Sequence, residues 1–346
     1  MPLKRRLVCA LAAMFLLAGL FSAPIRAHGA PQDDKGKNEK KKDGGKSSKK
    51  GDSDGARDAR PILWQEPTDI ESRDLFYGQG GRDGAPNTSD KLKFVRRSSS
   101  GTSEKIIVDD DKGRSWTVKF GAEAKPETVA SRIVWAVGYH VDQDYFVKSA
   151  HIEGRGGFDV SDVRFERRDD GFKEIGPWKW SASSFNGSRE LQGLKVLMAL
   201  LNNWDLKDVN NKIAQPNKAS GGERGDRVFY VADLGATLGS TGSFFQKLPF
   251  LGSAPAGSKG VPDAYAKQVF IDSLSGGHVH FHYEGKNPKV LEGITIENAR
   301  WIGNLLGRLS DKQLTDAFRA GGFTDNETAT YVHAVRGRID QLRALK

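Results

Sequence analysis

The order of the hydrophobic periods constrains this chain more than any other feature: two-residue alternation comes first and helical spacing comes later. Between Leu92 and Phe120, three apolar runs stand apart: Lys93-Phe94-Val95, Lys105-Ile106-Ile107-Val108 and Trp116-Thr117-Val118-Lys119-Phe120. Turn-forming runs at Ser98–Thr102 and Asp110–Gly113 separate them, the pattern of a three-strand antiparallel meander. A helix is expected next. Pro126 suits its start, Glu127 the positive end of its dipole, and Val129, Ile133, Ala136 and Val137 make one apolar stripe ending near Gly138. Further strands are expected at Asp144–Ala150 and Asp159–Arg167. A buried helix from Arg189 to Asn203 carries Leu191, Leu194, Met198 and Leu201 on one face, and a Gly-rich hairpin leads to a strand at Val228–Ala232. The end of the chain reads as helices over Thr295–Leu309, Ser310–Arg319 and Thr324–Leu345. The last two open with capping-box pairs, Ser310 with Gln313 and Thr324 with Glu327. Sheet first and helices later is an α+β order, which excludes the βαβ alternation of a doubly wound sheet.

The first sixty residues belong to a different kind of chain. Lys4-Arg5-Arg6, an apolar run from Leu7 to Ala23 and small residues up to Ala30 describe a secretory signal peptide over 1–30. Residues 31–60 are lysine, aspartate, glycine and serine with almost nothing apolar. They are expected to form a disordered tether, open to weak electrostatic contact with an anionic surface. Of the net charge of +9, four charges fall in 1–30 and three in 31–60. The two left for 61–346 give no bulk-charge argument for a nucleic-acid partner. The single cysteine, Cys9, lies inside the leader. Its removal would leave no disulfide, thiolate metal site or cysteine nucleophile, which fits export to a bacterial envelope, periplasmic or extracellular.

Four features then occur in a meaningful order. A glycine-containing turn between strands, Gly101-Thr102, precedes a lysine that ends the third strand, Lys119. An acid, Glu127, opens the following helix. Asp205-Leu206-Lys207-Asp208-Val209-Asn210 lies on a polar loop after the buried helix, and Asp233-Leu234-Gly235 closes a later strand.

This order resembles the protein-kinase-like superfamily, with its Asp-Leu-Lys-x-x-Asn catalytic loop and Asp-Phe-Gly metal motif. The short phosphate turn is similar to the atypical branch, which holds the HipA-type and phosphatidylinositol-kinase-like enzymes. The resemblance covers about residues 92–345. It implies a two-lobed fold: an N-terminal antiparallel sheet plus one helix, and a C-terminal, mainly helical lobe. Residues 61–150 would be the nucleotide-binding lobe and 151–346 the catalytic and helical lobe. It further implies Mg-ATP binding and phosphate transfer to a hydroxyl of unknown substrate, or a catalytically inactive binding module on the same scaffold. Gly101 and Thr102 would cap the phosphates, and Lys119, oriented by Glu127, would hold them. Asn210 and Asp233 would hold Mg²⁺, Asp205 would meet the attacking hydroxyl, and Lys207 would lie against the transferred phosphoryl group. The sequence departs from the family where Asn203-Trp204 replaces the usual His-Arg pair. The segment Asn211–Arg227 is long, and no Ala-Pro-Glu motif follows Asp233.

Outside that order, His278, His280 and His282 alternate on an expected strand, where period two would put them on one face as an alternative zinc or copper site. Arg164-Phe165-Glu166-Arg167-Arg168 reads as a solvated strand face, and the scattered tryptophans read as core or interface.

Overall fold

The computed structural model describes residues 59–98, 104–168, 171–181, 183–216, 226–241 and 258–346. The expected signal peptide and most of the expected tether lie outside them. So do Gly101 and Thr102. Strand β1 (Arg60–Ile62) and the one-turn helix α1 (Gly81–Gly84) precede the expected meander, β2 (Leu92–Ser98), β3 (Lys105–Asp109) and β4 (Ser115–Lys119). Helix α2 (Ala124–Ala136), the short β5 (His140–Val141) and the long strands β6 (Asp144–Glu153) and β7 (Phe158–Arg167) follow.

Strands β2, β3, β4, β7 and β6 close into a barrel, because β6 pairs antiparallel with β7 and returns in parallel to β2. The barrel therefore runs through residue 150, where the sequence suggested a lobe boundary, and ends at Arg167. Alternation decides what fills it. Trp116 and Val118 of β4, Tyr145 and Val147 of β6, and Val163 and Phe165 of β7 point into one cluster. Trp116 is fully buried and meets Tyr145 and Phe165 edge-on at 5.9 and 6.0 Å between ring centres. Each such ring contributes roughly 1.5–3 kcal/mol of burial.

A second, larger core holds the rest. Strands β8 (Phe172–Gly176), β9 (Asn211–Pro216) and β10 (Asp226–Val231) pair antiparallel in succession, and β1 and β5 add in parallel to β10. Strand β9 is the first half of the expected Gly-rich hairpin and occupies the start of the segment that looked overlong. Helix α3 (Arg189–Leu200) begins where Ser188 accepts a hydrogen bond from the Leu191 amide, and it is buried on most sides. After α4 (Pro262–Ala266) and the hairpin of β11 (Ile271–Ser275) and β12 (His278–Phe281), the chain ends in three helices. These are α5 (Ile296–Leu306), α6 (Asp311–Ala320) and α7 (Asp325–Arg343). Both expected capping boxes are formed, at Ser310 and Thr324. The molecule is thus α+β, a mostly antiparallel N-terminal part with one long helix followed by a mainly helical C-terminal part. Among the described residues no helix is long and apolar enough to cross a membrane.

Candidate active site

The barrel's outer face is not free over β4, β7 and β6. There Lys119 lies opposite Arg164, and Glu166 opposite Asp144. Helix α2 packs on β6 and β7 and covers this face. Polar side chains that a two-sided strand would show to water are buried instead, and they must satisfy one another.

They do so through two cations. Lys119, 2% exposed, donates from Nζ to Glu127 Oε2 at 3.0 Å and to Asp233 Oδ1 at 2.8 Å, and it lies 2.6 Å from Glu123 Oε2. Arg164, also 2% exposed, reaches the other oxygen of Glu127 at 2.9 Å, Asp144 at 2.6 Å and Glu166 at 2.6 Å. Glu127 is therefore held from both sides, one oxygen on each cation. Arg164 is not a solvated residue, as its flanking sequence suggested. The alternation holds, but the face it marks lies under α2. Burial works against the Lys119 ammonium, yet the carboxylates of Glu127 and Asp233 outweigh it and raise Lys119 above its ordinary value. Burial likewise tends to raise Asp233 and Glu123, but the neighbouring ammonium of Lys119 brings both below the usual carboxylate range.

Asp233 arrives from β10, 114 residues away along the chain. It sits just past the strand end with φ of 53° in the left-handed region, which aspartate tolerates better than most residues. Gly235 is required for the same approach. A Cβ there would come within 2.6 Å of the Glu123 Cβ. Glu123 is also bonded to Lys259.

The loop after α3 comes to the same place. Ala232 N–H donates to the Asn210 carbonyl at 2.9 Å, and the Trp204 amide donates to the Ala236 carbonyl at 3.1 Å. The loop is thus stitched to both sides of Asp233. Asn210 Nδ2 donates to the Asp205 carbonyl at 2.9 Å, which orients the amide and leaves Oδ1 as its donor atom for a ligand. Asp205 lies 2.7 Å from Lys207 and 3.0 Å from Lys286. Burial raises its carboxyl, but hydrogen bonds from those two lysines prevail and hold it below the ordinary range. Lys207 also feels the charge of Asp233.

Six of the eight residues singled out from the sequence, Lys119, Glu127, Asp205, Lys207, Asn210 and Asp233, thus belong to one region. Glu123, Arg164, Lys259 and Lys286 were missed. For Glu123 a signal existed, the four-residue spacing from Lys119, but it crosses a strand end, a turn and a helix cap. A hard divalent cation fits the oxygen set of Asp233 and Asn210. Glu123, Glu127 and Asp233 also bring ligand atoms within 4.8 Å of one another. The position among those three is already filled by the Lys119 ammonium, so the carboxylate triangle is a lysine site.

The histidines do not converge. His280 pairs with Ser275 at 2.8 Å, and His282 lies beyond the end of β12, 3.3 Å from Asp272. Among the described residues no group of three metal-ligating atoms includes a histidine. Trp178 and Trp180 are core, as expected, packed edge-on at 4.8 Å.

No family model matches the chain, and no curated protein does. Among solved structures it is similar to the proinflammatory kinase CtkA of Helicobacter pylori. The identity is 12% and the TM-score 0.43, over 73% of this chain and 96% of that one. It is also similar to the Rio2 kinase of Chaetomium thermophilum, solved as an ADP/Mg²⁺-phosphoaspartate complex, at 13% identity and a TM-score of 0.29 over 72% of each chain. Likeness at these scores carries no functional argument, and the function must be read from the side chains.

Proposed function

We propose that the chain is a kinase-like phosphotransferase that binds Mg-ATP between Lys119 and Asp233 and transfers the terminal phosphoryl group to a hydroxyl. One observation carries this reading: a buried lysine from a strand end is bonded at once to an acid on the following helix and to Asp233 of the Asp-Leu-Gly turn. Such transfer asks for positioning and charge neutralisation more than for covalent help from the protein. Lys119, fixed by Glu127, supplies a cation for the phosphates. Asp233 and Asn210 supply oxygen ligands for magnesium, which when bound neutralises charge on the transferred group. Asp205 orients the acceptor hydroxyl and takes its proton as the oxygen–phosphorus bond forms, the bond to the departing ADP oxygen breaking in concert. Lys207 and Lys286 keep Asp205 ionised for that task. The leader and tether support export, and outside the cytoplasm such an enzyme needs its own nucleotide supply.

A second reading, a nucleotide-independent binding module of the envelope, is favoured by Glu123. Its carboxylate takes up Lys119 at 2.6 Å and would compete with a phosphate for the same ammonium.

Calorimetric titration of the full chain with Mg-ATP separates the two. Binding that Lys119→Ala and Asp233→Ala both weaken is expected. Nucleotide at about 100 times Kd should stabilise the fold by roughly 2.7 kcal/mol. A folded chain that takes up no nucleotide with magnesium or manganese present overturns the phosphotransferase reading and leaves the module.

A further inference from the structure

Another buried cation touches no acid among the described residues. Arg132 lies on α2, five residues beyond Glu127, and is 3% exposed. Among the described residues its guanidinium makes no hydrogen bond or ion pair, and its Nε is buried without a partner. It lies over the Tyr145 ring at 4.9 Å and against Gly78, where a Cβ would come within 2.4 Å of Nη1. The carboxylates nearest in electrostatic reach are Asp74 and Asp144. Both are committed elsewhere. Asp74 accepts from the amides of Phe76 and Tyr77 at 2.8 and 3.0 Å, and Asp144 is bound by Arg164. Desolvation accordingly pulls the Arg132 guanidinium below its ordinary value.

Arg132 lines a cavity of about 330 Å³ between the segment 76–88, β6 and the end of α6. Tyr145 also lines it, its hydroxyl buried without a partner and packed close against Gly80. Phe76, Tyr77, Pro86 and Phe146 give the cavity apolar and aromatic walls, and Phe76 is 43% exposed at its mouth. Lys148 and Ser149 of β6 form the opposite wall, Lys148 being paired with Asp162 at 2.8 Å. A buried guanidinium without a counter-charge is costly. The group that would relieve that cost is an anion, and aromatic walls select its body.

We propose that this cavity binds a small aromatic anion, an aryl phosphate or aryl carboxylate, with its charged end on Arg132 and its ring among Phe76, Tyr77 and Phe146. The volume holds about ten non-hydrogen atoms at roughly 30 Å³ each. The site is separate from Lys119 and stands whether or not the chain binds a nucleotide.

Phenyl phosphate titrated into the full chain tests it, read by calorimetry and by the thermal unfolding midpoint. One molecule is expected to bind, with affinity unchanged in Lys119→Ala and at least about tenfold weaker in Arg132→Met. Ser149→Glu, at an exposed strand position, should weaken it similarly by placing a carboxylate on the wall, and it decides the matter alone if Arg132→Met does not fold. Inorganic phosphate should bind at least about tenfold more weakly, since it fills none of the aromatic walls. Absence of binding to the parent chain overturns the proposal. So does equal affinity in the folded variants, inorganic phosphate binding as tightly, or loss of binding in Lys119→Ala with retention in Ser149→Glu.

Discussion

Arg164 and Arg132 are buried to the same degree, at 2% and 3% exposure, and face opposite surroundings. Arg164 stands among three carboxylates within 2.9 Å, whereas Arg132 has none in contact among the described residues. Helix α2 takes part in both arrangements, lending Glu127 to the first and Arg132 itself to the second. Burial by itself therefore says little about what a charge is for. A charge whose partners are internal helps to fix the structure, and a charge whose partners are missing points to something from outside.

That contrast predicts unequal costs for the same substitution. Arg164→Met would leave Glu127, Asp144 and Glu166 buried around an absent cation and should lower unfolding stability by about 3–5 kcal/mol. Arg132→Met orphans no acid and should change stability by no more than about 1 kcal/mol. Denaturant unfolding of the two variants side by side checks this, and equal losses would break the comparison.

The next effect belongs to the Asp205 loop. In the phosphotransferase reading, Asp205→Asn should cut turnover by about a hundredfold or more while leaving nucleotide affinity nearly unchanged. Single-turnover transfer and a binding titration distinguish that split from a general loss of fold.

A pH effect follows from a neighbouring half-buried pair. Asp142 lies 3.5 Å from Lys212, and burial raises its carboxyl to about 6, the Lys212 ammonium only partly opposing this. Unfolded, Asp142 loses its proton near pH 3.9. Between those values the native state holds the proton that the unfolded state has lost, so the Asp142 contribution to stability falls as pH rises from about 4 to 6. The stability of the parent minus that of Asp142→Asn should fall through the same window in urea titrations. A constant difference would remove Asp142 from the account.

The smallest effect marks the other end of the scale. Lys312 and Asp316 are 2.6 Å apart on α6, but the lysine is 83% exposed. Lys312→Ala should cost about 0.3–0.5 kcal/mol, because water already solvates both charges and the lysine gives up rotamer freedom to hold the pair.

Much of the candidate site was legible in the sequence. The strand-end Lys119, the helix-opening Glu127, the Asp205–Asn210 loop and Asp233 each sat at an identifiable local position, and all are neighbours in the structure. Glu123 and Arg164 were not legible for a common reason. Glu123 is the cap of α2, a place where an acid normally serves the helix dipole. Arg164 alternates with Val163 and Phe165 as a residue on a water-facing strand would. The histidine strand erred in the other direction. Alternation put His278 and His280 on one strand, but the strand ends at Phe281, and His280 and His282 each found a local partner in Ser275 and Asp272.

By itself the sequence determined the three-strand meander, the long helices and strands that follow it and the two capping boxes at Ser310 and Thr324. These follow from period, propensity and hydrogen bonds spanning at most a few residues. Only the tertiary structure decided that α2 roofs the outer face of β6 and β7, that Asp233 meets Lys119 across 114 residues, and that Arg132 touches no acid among the described residues. Alternation specifies which side chains share a face of a strand. What covers that face, water or a helix, depends on how distant segments pack, and with it depends whether a charge there is solvated, paired or left waiting for a ligand.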